Sequence, residues 1–145
     1  TLREAMKGAD VFLGVSVANI VDKDMVKSMN HDAIVFAMAN PDPEIPYDDA
    51  KAAGARIVGT GRSDYPNQVN NVLAFPGLFK GALSVRARKI SEEMKMAAAV
   101  GIAKIAEEEG LSDDYVIPSP FNKRVAETVA AEVAKKAIEQ GLNRK

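Results

Sequence analysis

The sequence has no cysteine, no tryptophan and a single histidine. Without cysteine there is no disulfide, no thiolate metal ligand and no cysteine nucleophile, a usage that fits a reducing cytoplasm. An excess of charge is also missing, since 19 Lys and Arg face 20 Asp and Glu for a formal net charge of −1. No net field steers such a chain toward nucleic acid or an anionic membrane, and neither partner is expected. The longest nearly apolar run, residues 11–21, is about half of the roughly 20 residues a membrane helix needs, and no basic-then-apolar leader opens the sequence. Familiar chemical signatures are absent too. No G-x-G-x-x-G follows a strand-like run to hold a dinucleotide pyrophosphate, and the glycines at 77 and 81 open no strand-turn-helix unit. No Walker-type loop, Ser/His/Asp arrangement or basic patch interleaved with aromatics is present.

What the chain does have is the material for an ordinary core. Its 145 residues are 47% hydrophobic and 27% charged, and a domain of this size buries roughly 68–70% of the surface of its unfolded chain. Residues 11–15 (VFLGV), 33–38 (AIVFAM) and 56–60 (RIVGT) are short apolar runs without polar alternation, as in strands covered on both faces. Helix-sized segments lie between them. Asp22 caps one to about Met29, and Pro46 opens another over residues 47–53 that Gly54 stops. Residues 1–7 (TLREAMK) read as an amphipathic helix leading at once into a buried strand, as if the chain were entered partway through a fold.

This alternation predicts an α/β fold, a Rossmann-like doubly wound parallel sheet of about three strands over residues 1–74, followed by a mainly helical region over 75–145. The later helices span residues 75–87, from Ser91 to about Glu109, and from beyond Asn122 to about Gln140, with Gly141 and the basic tail Arg144-Lys145 frayed. On the second of them Met94, Ala97, Ala98, Gly101, Ile102 and Ile105 form one apolar stripe, and on the last Val125, Val129, Val133 and Ala137 do so.

Ligands of such sheets bind at the carboxyl ends of the strands. Those ends carry Gly14-Val15-Ser16, Asn40-Pro41 and Thr60-Gly61-Arg62, small or polar groups that a buried strand does not need in order to fold. The block from Gly61 to Asn71 has one aliphatic residue in a run of polar ones, so its amides either form a surface loop that starts a helix or converge on a polar substrate. Asn40 before Pro41 is a turn starter or a ligand contact. Asp42, Glu44, Asp48 and Asp49 are dense, but Asp48 and Asp49 suit a helix N-terminus and nothing completes a metal site. His31 reads as a solvated side chain rather than a base.

With these residues in view, the sequence resembles the carboxyl-terminal part of the NAD(P)-binding domain of a prokaryotic malic enzyme. The segments GVSV from Gly14, FAMANPDPEI from Phe36, GTGRSDYPNQVNNVLAFPG from Gly59 and DYVIPSPF from Asp114 occur in that family's order and spacing. The resemblance implies an oxidoreductase that oxidatively decarboxylates L-malate to pyruvate and CO2 with NAD or NADP and Mg or Mn. It assigns Asn40, Asn70 and Asn71 to the substrate, with Asn70 orienting the loop. It assigns Gly14, Val15, Ser16, Asn40, Gly61 and Asn71 to the cofactor. The same resemblance puts the tyrosine and lysine acid–base pair, the three carboxylate metal ligands and the glycine-rich loop upstream of Thr1, on this chain's continuation or on a separate chain.

No catalytic residue and no metal ligand is therefore expected in this chain, and alone it is expected to be inactive. A homodimer or higher homo-oligomer is implied, and an uncovered sheet edge would promote association. One departure stands out, because Asn19 occupies a position where the family pattern has glycine; asparagine tolerates the positive φ such a turn needs. The alternatives are a related amino-acid or hydroxy-acid dehydrogenase fragment and a non-catalytic nucleotide-binding module.

Overall fold

The structure is a computed structural model that describes residues 1–144. It comprises α1 (Leu2–Met6), β1 (Val11–Gly14), α2 (Lys23–Lys27), β2 (Ile34–Ala37), α3 (Tyr47–Ala52), β3 (Ile57–Thr60), a 3-10 turn (Asn71–Leu73), α4 (Phe75–Ser84), α5 (Glu92–Glu109) and α6 (Lys123–Glu139). Two compact units result, one made of Thr1–Val69 with Ser112–Tyr115 and the other of Asn70–Leu111 with the chain from Val116 onward.

In the first unit the three strands form one parallel sheet in the order β1-β2-β3. Its register places Phe12, Val35 and Val58 side by side, and then Gly14, Ala37 and Thr60. The strand residues that share this face pack with Met6 of α1, Met25 and Val26 of α2, and Tyr47 and Ala50 of α3 in a single core. All three helices thus cover the same face. On the other face Val11 and Leu13 of β1 are 48% and 62% exposed, so this strand is covered on one face within the chain, not on both as its unbroken apolar run leads one to expect. This is the Rossmann-like α/β sheet that the alternation of apolar runs predicts. Asp22 caps α2 as expected, its side chain accepting from Met25 N at 2.9 Å.

The chain after β3 is held by its own polar groups. Thr60 Oγ1, wholly buried, accepts from Arg62 N at 3.2 Å. Asn67, with φ 53° and 4% exposed, points inward and donates to Val58 O at 3.2 Å and Asp113 O at 3.0 Å. Gln68 Nε2 donates to Gly61 O at 3.2 Å. Of the amides expected to converge on a substrate, these two instead close the loop upon itself. The segment Ser112–Tyr115 is fastened to the same unit by Arg56 Nε, which donates to Asp113 Oδ1 at 2.9 Å. Asn67→Ala is expected to lower stability by about 1–3 kcal/mol, because buried carbonyls lose their donors; a urea unfolding midpoint equal to the wild type would contradict this.

In the second unit α4, α5 and α6 surround a core of Leu78, Ala82, Met94, Ala98, Ile105, Val125, Val129 and Val133. Ser91 caps α5 by accepting from Met94 N at 3.2 Å, and Asn122 caps α6 by accepting from Arg124 N at 3.0 Å. Gly77 and Gly81 face α6 so closely that a Cβ at 77 would lie 2.6 Å from Val129 Cβ and one at 81 only 2.4 Å from Ala130 O.

Helix α4 stops at Ser84, short of the expected 87. Arg86 takes φ 50°, and the turn closes with Arg86 N donating to Leu83 O and Ala87 N to Ala82 O, the two bonds of a Schellman cap with arginine where glycine is usual. The tail is not frayed through Arg144: Arg88 N donates to Leu142 O at 3.0 Å and Arg144 N to Val85 O at 3.2 Å. Lys145 lies outside the described residues. No helix among the described residues is long and apolar enough to cross a membrane.

Candidate functional site

Because Gly14, Ala37 and Thr60 are in register, the residues that follow them lie along one edge of the sheet. After β1, Val15 stands 81% exposed. After β2, Asn40 is exposed, its side chain hydrogen-bonds to nothing among the described residues, and its peptide bond to Pro41 is cis. After β3, Gly61 is exposed, with open space where a Cβ would be. Asn70 and Asn71 begin the second unit. Asn70 Oδ1 accepts from Val72 N at 3.0 Å and so caps the 3-10 turn. Asn71 is exposed and its amide forms no hydrogen bond within the described chain. Two amides, those of Asn40 and Asn71, are therefore uncommitted.

The residue that organises the first two strand ends is Glu44, which sequence reasoning weighed only as part of an acidic cluster. It is wholly buried. Its Oε1 accepts from Ser16 N at 2.7 Å and Ser16 Oγ at 3.0 Å, and its Oε2 accepts from Ala39 N at 3.0 Å. Burial alone would push its carboxyl up, but the donors at Ser16, Ala39 and its own backbone prevail and hold it below the ordinary 4.5. Because the folded value is depressed, the stability Glu44 contributes is present above 4.5 and is lost as pH falls through the folded value.

The other members of the acidic cluster are dispersed. Asp48 Oδ2 accepts from Tyr65 Oη at 2.9 Å, and Asp49 pairs with Lys23 at 2.9 Å. Asp42 lines a depression of about 450 Å³ together with Asn19, Pro43, Pro46, Tyr47, Arg62 and Tyr65. In its wall Tyr47 and Tyr65 stack at 4.5 Å, and Arg62, bound to Asp64 through two bonds of 2.9 and 2.6 Å, lies 5.7 Å from the Tyr65 ring centroid.

The hydrogen bond to Asp48 raises the Tyr65 phenol, and the one to Asp64 raises the Arg62 guanidinium, so neither exchanges a proton near neutrality. Among the described residues no three acidic or histidine side chains gather as metal ligands, and His31 is 94% exposed beside Asp32. The strand ends of the first unit thus present open backbone at Val15 and Gly61 and an uncommitted amide at Asn40.

Asn19 adopts φ 59° and its N–H donates to Pro43 O at 3.1 Å, so the turn that tolerates positive φ does form. Asn19→Gly is expected to leave stability within about 0.5 kcal/mol of the wild type, whereas Asn19→Val costs about 1–2 kcal/mol. Equal urea midpoints for the two variants would contradict the conformational account.

Comparison with known proteins places the chain. The family model for the malic enzyme NAD-binding domain matches residues 2–138. The bifunctional malic/malolactic enzyme of Bacillus subtilis is 62% identical over 144 residues, 99% of this chain and 35% of that protein. The NAD-dependent malic enzyme of Geobacillus stearothermophilus is 52% identical over all of this chain and 30% of its own. The crystal structure of malic enzyme from Pyrococcus horikoshii superimposes with a TM-score of 0.93 at 50% identity, over 99% of this chain and 33% of that one. The chain thus spans about a third of the length of these relatives. With both its sheet and its strand-end segments inside the matched region, the chain belongs to the malic enzyme NAD-binding domain family.

Proposed function

We propose that this chain is the part of a malic enzyme that presents the nicotinamide and the substrate to each other in the conversion of L-malate to pyruvate and CO2. The observation that carries this reading is the pair of exposed, uncommitted amides at Asn40 and Asn71, on a chain matched to the family over residues 2–138. An amide NH2 donates to a carboxylate without competing for protons, which suits a dicarboxylate held in one orientation for hydride removal. Val15 offers an open apolar surface beside the end of β1, and Gly61 leaves backbone bare beside the end of β3; both suit the flat face of a nicotinamide.

NAD or NADP bound there supplies the hydride acceptor. Asn70 acts through the turn it caps, and Gly14 and Ser16 act through Glu44, since both Ser16 donors are taken by that carboxylate. The described residues hold no set of ligands for Mg or Mn, so no step is assigned to a metal on this chain. The metal ligands and the acid–base pair belong, in this reading, to the two thirds of the relatives that the chain does not cover, and residues 1–145 alone turn over nothing.

The test is malate-dependent reduction of NAD or NADP by the whole protein with Mn, with pyruvate and CO2 formed in equal amounts. Reduction with glutamate and not malate would replace this reading with that of a related dehydrogenase. A cytoplasmic homodimer or larger assembly completes the proposal. Phe75, Phe79 and Leu83, on one side of α4 and each about half exposed or more, are apolar surface that a second subunit would cover. A monodisperse monomer by light scattering would contradict the assembly.

A further inference from the structure

We infer that Glu44 is a positioning residue for the proposed reaction, fixing the Val15 and Asn40 segments relative to each other through one buried carboxylate. The inference rests on the malic enzyme reading for its readout, but its geometry is independent of it. Both carboxylate oxygens are committed, one to the strand end after β1 and the other to the strand end after β2. Among the described residues no Lys, Arg or His pairs with Glu44, so its charge is met by backbone and hydroxyl donors of the very segments it joins.

The backbone reinforces the joint, since Val21 N donates to Glu44 O at 3.0 Å and Asn19 N to Pro43 O at 3.1 Å. Room for the carboxylate comes from Gly14, where a Cβ would lie 2.5 Å from Glu44 Cδ. Val15 precedes Ser16 and Asn40 follows Ala39, so the two groups facing ligand are each one residue from an anchored N–H.

A carboxamide cannot do this. Glu44→Gln keeps the shape but replaces one acceptor by an NH2 group that confronts either the Ser16 or the Ala39 donor, and one segment is released. Misplacing reacting groups by about 1 Å costs on the order of 100-fold in rate. Partial unfolding, by contrast, lowers the amount of active enzyme and leaves KM and isotope effects untouched.

The experiment uses the full-length enzyme with malate deuterated at C2. Wild-type turnover of malate with CO2 release tests the functional reading, and comparison of variants with that wild type tests the role of Glu44. For folded Glu44→Gln, by far-UV circular dichroism, kcat/KM is expected to fall on the order of 100-fold, with a higher KM for malate and a larger primary deuterium isotope effect as hydride transfer becomes more rate-limiting. Folded protein with unchanged KM and isotope effect overturns the inference. If the glutamine variant does not fold, Glu44→Asp, which keeps the charge but falls one methylene short of bridging both segments, is judged by the same two quantities. Failure of both variants to fold also overturns it, since Glu44 would then support the fold and not the site.

Discussion

On the proposed function, Asn71→Ala in the full-length enzyme is expected to lower kcat/KM for malate by about 10- to 150-fold while leaving the unfolding midpoint in place. The size follows from a hydrogen bond to a charged group, worth about 1.5–3 kcal/mol, at 1.36 kcal/mol per tenfold change in rate. Stability is spared because the Asn71 side chain is exposed and has no hydrogen-bond partner within the described chain to lose. Asn71→Asp loses more, since a carboxylate there repels the carboxylates of the substrate. The neighbouring Asn70→Ala behaves differently: its oxygen caps the 3-10 turn at 3.0 Å from Val72 N, so it costs about 0.5–2 kcal/mol of stability. An Asn71→Ala enzyme with wild-type kcat/KM would remove Asn71 from the site.

The second large effect is on stability. Gly81→Ala should lower it by about 1–3 kcal/mol, although alanine in a helix interior normally gains about 1 kcal/mol over glycine. The sign is reversed by packing. A Cβ at 81 would sit 2.4 Å from Ala130 O and 2.9 Å from Val133 Cβ, and one at 77 would sit 2.6 Å from Val129 Cβ and 2.8 Å from Ala126 O. Two of these neighbours are backbone carbonyls of α6, which cannot rotate away, so α4 must move off α6 and lose contact along its length. The double variant Gly77→Ala/Gly81→Ala shares one helix displacement, and its cost should therefore be less than the sum. A urea midpoint raised by Gly81→Ala would show that helix propensity wins and that the two helices are free to separate.

The sheet was legible because its strands are short unbroken apolar runs bounded by capping residues and glycine, signals that depend only on neighbours in sequence. Asp22, Ser91 and Gly110 mark helix ends for the same local reason. What could not be read depends on contacts distant in the chain. Glu44 looks like any acid near a helix start until the donors at Ser16 and Ala39, from two other segments, are seen around it. Asn67 and Asn71 are the same residue type in one polar block, yet one is 4% exposed and holds Val58 O while the other is open to solvent.

In the sequence Gly77 and Gly81 show only that they make no phosphate loop, because the surface they pack against lies on a helix beginning more than forty residues later. Arg86 closes α4 in a conformation that composition reserves for glycine. In the proposed site, then, the resemblance names Asn40 and Asn71, which are exposed, whereas the groups that hold the neighbouring segments in place are not legible in the sequence.

The most direct measurement is the structure of the full-length enzyme with NAD or NADP and a dicarboxylate that cannot be oxidised. The account predicts the side-chain nitrogens of both Asn40 and Asn71 within about 3.2 Å of ligand oxygens, with Val15 and Gly61 against the nicotinamide and Glu44 still bonded to Ser16 and Ala39. A ligand bound elsewhere, with both amides facing solvent or protein, would contradict it.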